Sequence, residues 1–275
     1  MIRERIKEHC GRSAEILALR HAPVFGSTLF VADCMRRGRL TRMLGSIDRT
    51  GRIMEQSAMD LLRPERLVFM YERLMLAAFA LVKEPRSALL LGLGGGAMCR
   101  HLAAYVPECE ITVVERDPVV RRIARRYFHL ARSVVMADAA EVVAASRRAF
   151  DVVLVDLYDA GGAADTRKRF WKDCLRALAP GGALGVNWAE FVGATRLQQE
   201  ARAIAGAIGR SFFIAERVAR PNVVQLVPTE RGFSLAEFPA RLKRFAEAYQ
   251  LPREDRDILR RNDIMRHNPL TAWTK

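Results

Sequence analysis

Four stretches of this chain hold residues that could do chemistry. The first is Gly92-Leu93-Gly94-Gly95-Gly96-Ala97. Glycines there let the backbone turn tightly and let a ligand approach the start of the next helix. The second is Glu115, 23 residues beyond Gly92. A carboxylate at that distance can accept from both hydroxyls of a ribose; it can also be a solvated strand end or a partner of Arg116. The third is Asp138, in Met-Ala-Asp-Ala. It can accept from the exocyclic amine of an adenine, or cap a helix starting near Ala140. The fourth is Asp156-Leu-Tyr-Asp159. Two carboxylates three residues apart can bind a cationic amine and take its proton, although Asp159 also suits a turn before Gly161-Gly162.

Each group ends a short apolar run. The runs are Ala88–Leu91, Ile111–Val114, Ser133–Met136 and Val152–Val155, with a fifth, Ala183–Val186, ending at the polar Asn187. Helical stretches separate them: Cys99–Tyr105, Pro118–Tyr127, Ala140–Ser146 and Arg169–Leu178. Buried strands alternating with helices predict an α/β fold, a mostly parallel sheet with helices on both faces. Ser211–Glu216 and Val223–Val227 can add final, antiparallel strands. Ligands of such sheets sit outside the carboxyl ends of the strands, so the glycines and the acids converge on one crevice.

The remaining chain divides by pattern. Residues 1–26 read as a helical appendage, its first 20 residues as one amphipathic helix. Residues 27–63 read as a small antiparallel β-hairpin domain, with strands around Thr28–Ala32, Leu40–Leu44 and Arg52–Gln56 and glycines at the turns. Pro64 opens a helix from Glu65 to Val82 at the head of an α/β domain, residues 64–230. Residues 231–275 read as a helical C-terminal extension.

Composition narrows the class. Of 275 residues, 50% are hydrophobic and 28% charged, which excludes disordered and collagen-like chains. No uncharged apolar run approaches the ~18 residues of a membrane span. The charged N-terminus lacks the apolar stretch of a signal peptide, so a cytoplasmic location is expected. The net charge is +14, and Arg supplies 39 of the 45 basic residues. The basic residues are scattered without interleaved aromatics, so neither nucleic acid nor a membrane is an expected partner. Five cysteines form no CxxC pair; they are expected to be reduced, buried thiols, and no metal is expected. His101, His129, Trp171 and Trp188 are assigned to packing or surface.

Residues 52–190 resemble the spermidine synthase family of polyamine aminopropyltransferases. The resemblance rests on Met70-Tyr71-Glu72, the glycine loop, Val-Val-Glu115-Arg-Asp117-Pro, Asp138, Asp151-Val-Val-Leu-Val-Asp156-Leu-Tyr-Asp159 and Pro180-Gly181-Gly182. It implies a Rossmann-like, class I methyltransferase fold behind a small antiparallel β-region. Residues 64–230 would then bind an S-adenosyl nucleoside. Gly92, Gly94, Gly95, Gly96, Glu115, Asp138, Tyr71 and Glu72 would hold the donor, decarboxylated S-adenosylmethionine or S-adenosylmethionine. Asp156 would be the proton acceptor and Asp159 the second acid of its loop. The acceptor would be a small-molecule amine, and family members are commonly dimers or tetramers. The chain departs from the pattern at three places. Gly95 stands where the family has an Asp that contacts the donor amine, Tyr-His-Glu becomes Met70-Tyr71-Glu72, and the Gln expected near Leu61 is absent.

Four readings follow. Aminopropyl transfer would use Asp156 as base, with Asp159 or Asp60 for charge recognition. Methyl transfer from S-adenosylmethionine is the alternative that Gly95 opens, because no loop acid would repel the methionine carboxylate. Gly92-x-Gly94-x-x-Ala97 permits a nicotinamide dehydrogenase, but no Tyr/Lys or His catalytic pair follows. A non-catalytic nucleoside-binding protein is the fourth. In the first two, Glu115→Ala should weaken any S-adenosyl ligand by ~1–3 kcal/mol, measured by calorimetry. Unchanged affinity in a folded variant would return Glu115 to a purely structural role.

Overall fold

A computed structural model describes residues 1–24, 26–159, 162–163, 168–188, 211–215, 223–261 and 263–265. For residues 158–159, 162–163, 168, 215, 261 and 263–265 it describes the backbone alone. Helix α1 (Ile2–Cys10) precedes a four-stranded antiparallel meander: β1 (Glu15–Ala22), β2 (Ser27–Arg36), β3 (Arg39–Ile47) and β4 (Ile53–Asp60). The expectation of one helix over residues 1–20 is corrected here. Gly11, at φ 102°, ends the helix, and residues 15–22 pair with β2 from Glu15↔Asp33 to Ala22↔Ser27.

The second sheet follows a linker, helix α2 (Met70–Met75) and a 3₁₀ turn (Leu76–Leu81). Its chain order is β5 (Ser87–Leu91), α3 (Ala97–Tyr105), β6 (Glu110–Glu115), α4 (Pro118–Tyr127), β7 (Val135–Met136), α5 (Ala139–Ala145) and β8 (Phe150–Val155). A small hairpin, β9 (Tyr158–Asp159) and β10 (Gly162–Ala163), leads to α6 (Lys168–Ala177) and the long β11 (Leu178–Trp188). Next come β12 (Phe212–Ala215), β13 (Val223–Pro228), α7 (Phe238–Ala248), α8 (Arg253–Arg261) and β14 (Asp263–Met265). The order across the sheet is β14-β12-β13-β11-β8-β5-β6-β7. The pairs from β11 to β7 are parallel; β13, β12 and β14 are antiparallel.

The registers align the strand ends. Leu91 lies opposite both Val114 and Val155, Glu115 opposite Met136, and Val186 opposite Val155. Glycine loop, Glu115, Asp156 and Asn187 therefore share one edge. The strands are continuous apolar runs because helices cover both faces. In α4, for example, Val119, Val120, Ile123 and Ala124 are buried while Arg122, Arg125 and Arg126 face out. No helix among the described residues is long and apolar enough to cross a membrane.

The helix expected from Glu65 begins only at Met70. Carbonyls that a helix would use internally go elsewhere: Pro64 O accepts from Arg100 Nε (3.0 Å), Glu65 O pairs with His101 Nδ1 (2.9 Å), and Leu67 O accepts from Arg73. Asp60 Oδ1 takes the N–H groups of Leu62 and Arg63. The linker, with a turn closed by Arg66 N donating to Arg63 O, is thus held out of helical form by side chains from both sheets' elements. β14 was also missed, lying in the region expected to be helical.

Arg73 of α2 meets Asp255 of α8 at 2.9 Å, the two side chains 8% and 0% exposed. Nearby, Arg66 bridges Asp60 (3.2 Å) and Glu254 (2.5 Å). Removing one member of a buried pair strands the other charge. Arg73→Met should therefore cost ~3–5 kcal/mol in urea unfolding, and Arg73→Met/Asp255→Leu should recover most of it. Equal loss in both variants would show that the pair itself stabilises.

Candidate active site

Three close approaches build the site. Gly92, at φ 102°, follows β5; a Cβ there would lie 2.2 Å from the Asp156 carbonyl oxygen. Only glycine tolerates both the angle and the contact. The Asp156 N–H donates to Leu91 O at 2.9 Å, which fixes the acid beside the glycine loop. Gly96, at φ 75°, is the N-cap of α3. Arg100 of α3 then ties the loop down, donating to Gly95 O (2.6 Å) and Phe128 O (2.8 Å) as well as to the linker.

Asp156 is the centre of this arrangement. Its Oδ1 accepts from Asn187 Nδ2 at 2.9 Å, and the Tyr71 hydroxyl donates to the same carboxylate. Burial raises its pKa, and the Asn187 and Tyr71 hydrogen bonds oppose the rise. Asp156, Tyr71, Glu72, Gly92 and Gly94 line one cavity of about 30 Å³, together with Gln56 and Ser57 from β4. Glu72 is 3% exposed, and its Oε2 accepts the Phe69 N–H at 3.1 Å. Burial, with the negative Asp156 nearby, pushes its pKa up to about 8. At neutral pH Glu72 is therefore largely a neutral carboxylic acid beside Asp156.

Glu115, Asp138 and Asp60 do not line this cavity. Glu115 is buried; its Oε1 accepts from Asp117 N (2.8 Å) and its Oε2 from Leu93 N (3.3 Å). Burial raises its pKa against those bonds. It braces the glycine loop from the neighbouring strand and keeps lone pairs for a further donor. Asp138 caps α5, accepting from Ala140 N at 2.8 Å, and its other oxygen lies 3.6 Å from Arg116. Arg116, considered as a partner of Glu115, faces Asp138 instead. The backbone of Asp159 lies in β9, but its side chain lies outside the described residues. Asp60 does not join the site. It is 2% exposed and consumed by two backbone N–H groups and by Arg66.

Three features were not assigned from the sequence. Asn187 was noted only as a polar strand end, yet it holds Asp156. Arg100 carried no signal apart from its place one turn into α3. A Gln does line the cavity, but it is Gln56, five residues before the position where one was sought. Gly95 gains a physical reason: a Cβ there would meet Ser57 Oγ at 2.8 Å and Phe128 Cδ1 at 2.9 Å. The space beside this loop position is already filled. His101, Trp171 and Trp188 are buried in packing, as expected of them.

Residues 68–200 match the spermine/spermidine synthase domain. A polyamine aminopropyltransferase of Chromobacterium violaceum is 36% identical over 140 residues, which cover 48% of this chain and 54% of that protein. The match thus spans about half the length of that relative. A probable spermidine synthase from Corynebacterium glutamicum superposes with a TM-score of 0.66 at 20% identity, covering 85% of this chain and 86% of its own. A spermidine synthase in complex with the transition-state analogue AdoDATO gives the same TM-score at 16% identity, covering 89% and 88%. These structures share the fold, and over the glycine loop and the Asp156 strand the chain is similar to the spermine/spermidine synthase domain.

Proposed function

We propose that the chain is an aminopropyltransferase, moving the aminopropyl group of decarboxylated S-adenosylmethionine to an amine. The observation that carries this reading is the partly buried Asp156 carboxylate, aimed by Tyr71 and Asn187 beside the glycine loop. The domain match and the aminopropyltransferase relative support it. An alkylamine attacks carbon only when neutral. In the step proposed, the acceptor nitrogen bonds to the propyl carbon, the carbon–sulfur bond breaks, and methylthioadenosine leaves. The proton released by the nitrogen goes to Asp156. The sulfonium leaves readily, so the protein's work is orientation and deprotonation.

The 30 Å³ cavity is the inner end of such a site, too small for a nucleoside. The nucleoside belongs outside it, along the strand ends bearing Glu115 and Asp138. Glu72, largely protonated at neutral pH, adds little negative charge to the inner cavity. Methyl transfer is the second reading, and Gly95 is the observation that favours it: the loop position holds no acid, and Ser57 and Phe128 occupy its surroundings.

The first prediction separates the two readings, and the second tests the protonation of Glu72. Asp156→Asn keeps the Asn187 contact and removes the base. Turnover with decarboxylated S-adenosylmethionine should fall by roughly 10²–10⁴ while donor affinity, read by calorimetry, hardly changes. Full activity in the variant, or binding of S-adenosylmethionine alone, would overturn the reading. The second concerns Glu72, whose pKa stands at about 8 against an ordinary 4.5. The unfolded chain ionises first, so stability falls as pH rises between those values. Glu72→Gln should be near-neutral at pH ~5 and stabilising by ~3 kcal/mol at pH ~8. A gap independent of pH would refute the assignment of the proton.

A further inference from the structure

A second, larger cavity lies in the N-terminal domain, far from the chemistry above in sequence. It measures about 410 Å³ and opens between the start of α1 and the turns β1–β2 and β3–β4. That volume is in the range of small-molecule sites. Its charged lining is mostly basic: Arg5 from α1, Arg49 from the β3–β4 turn, and His21 from β1. The one acid, Asp48, spends its Oδ1 on its own turn, accepting from Thr50 N (2.8 Å), Thr50 Oγ1 (2.6 Å) and Arg52 N (3.0 Å). Among the described residues, neither Arg5 nor Arg49 has an ion-pair partner.

Three independent features suit an anion. First, the nine-residue α1 begins at the cavity and has no side-chain cap, so its first N–H groups are open to a ligand. Second, Gly51, at φ 83°, lets Arg5 lie on the turn; a Cβ there would meet Arg5 Nε at 2.9 Å. Third, Ser27 lines the cavity, is 4% exposed, and its buried hydroxyl has no hydrogen-bond partner. An unsatisfied buried hydroxyl is costly unless a ligand or water completes it. Ile2 and Ile47 add an apolar wall.

We propose that this cleft binds a small organic phosphate. The phosphate sits between Arg5, Arg49 and the start of α1, and the organic body lies against Ile2 and Ile47. The site is separate from the S-adenosyl crevice and does not rest on the transferase reading.

The test is calorimetry on the full chain with phenyl phosphate, inorganic phosphate and phenol as probes. Phenyl phosphate should bind, inorganic phosphate more weakly, and phenol without measurable heat. Arg5→Gln/Arg49→Gln should weaken phenyl phosphate by at least roughly tenfold, while Glu115→Ala, at the other crevice, leaves it unchanged. As a readout that needs no variant, phenyl phosphate should protect Arg5 and Arg49 from phenylglyoxal, read by peptide mass spectrometry. No binding at about 10 mM, phenol binding as well as phenyl phosphate, or no protection of either arginine would overturn the proposal. Loss of binding in Glu115→Ala would assign the ligand to the other crevice and overturn it as well.

Discussion

A carboxylate withdrawn from water costs several kcal/mol unless hydrogen bonds replace its hydration. Asp156 is partly such a group, and much of the domain is arranged around it. Asn187 comes from β11, Tyr71 from α2 and the bare backbone of Gly92 from the loop after β5. Three separate elements must arrive together for that acid to be tolerated. Glu72 adds a fourth condition, since it stays protonated beside Asp156 at neutral pH. The position of α2 is therefore an electrostatic requirement as well as a packing outcome.

What fixes α2 is a set of arginines whose donors are spread over several partners. Arg73 spans Leu67 O and Asp255; Arg66 spans Asp60 and Glu254; Arg100 spans the linker, the glycine loop and the end of α4. A guanidinium has five donors in a rigid fork, so one side chain can join three segments where a lysine could not. The Arg-rich composition is here partly a structural material, beyond its contribution to surface charge.

The sheet was legible from the sequence because each buried strand ended in a glycine, an acid or an amide. α4 was read to the residue, since Asp117-Pro118 and the apolar spacing mark both the cap and the buried face. The segments misread were governed by distant partners. Residues 65–69 have a helical pattern, but the carbonyls of Pro64, Glu65 and Leu67 are claimed by Arg100, His101 and Arg73. Residues 15–22 have too few buried positions to display alternation, and only pairing with β2 makes them a strand. In the site, the residue types at strand ends were visible, but the bonds of Asn187 and Arg100 depend on register and on the third dimension. Gly95 was visible as a departure from the family, and only the nearness of Ser57 and Phe128 explains it.

The Arg73–Asp255 pair joins residues 182 positions apart. At ribosomal rates of ~5–20 residues per second, Arg73 waits roughly ten to forty seconds for its partner to be made. Until then α2 lacks its anchor, and Tyr71 and Glu72 are not held against Asp156. The parallel strands can assemble earlier, because their contacts are nearer in sequence. A nascent chain thus carries the scaffold around Asp156 well before the full arrangement, which is complete only when synthesis has passed α8.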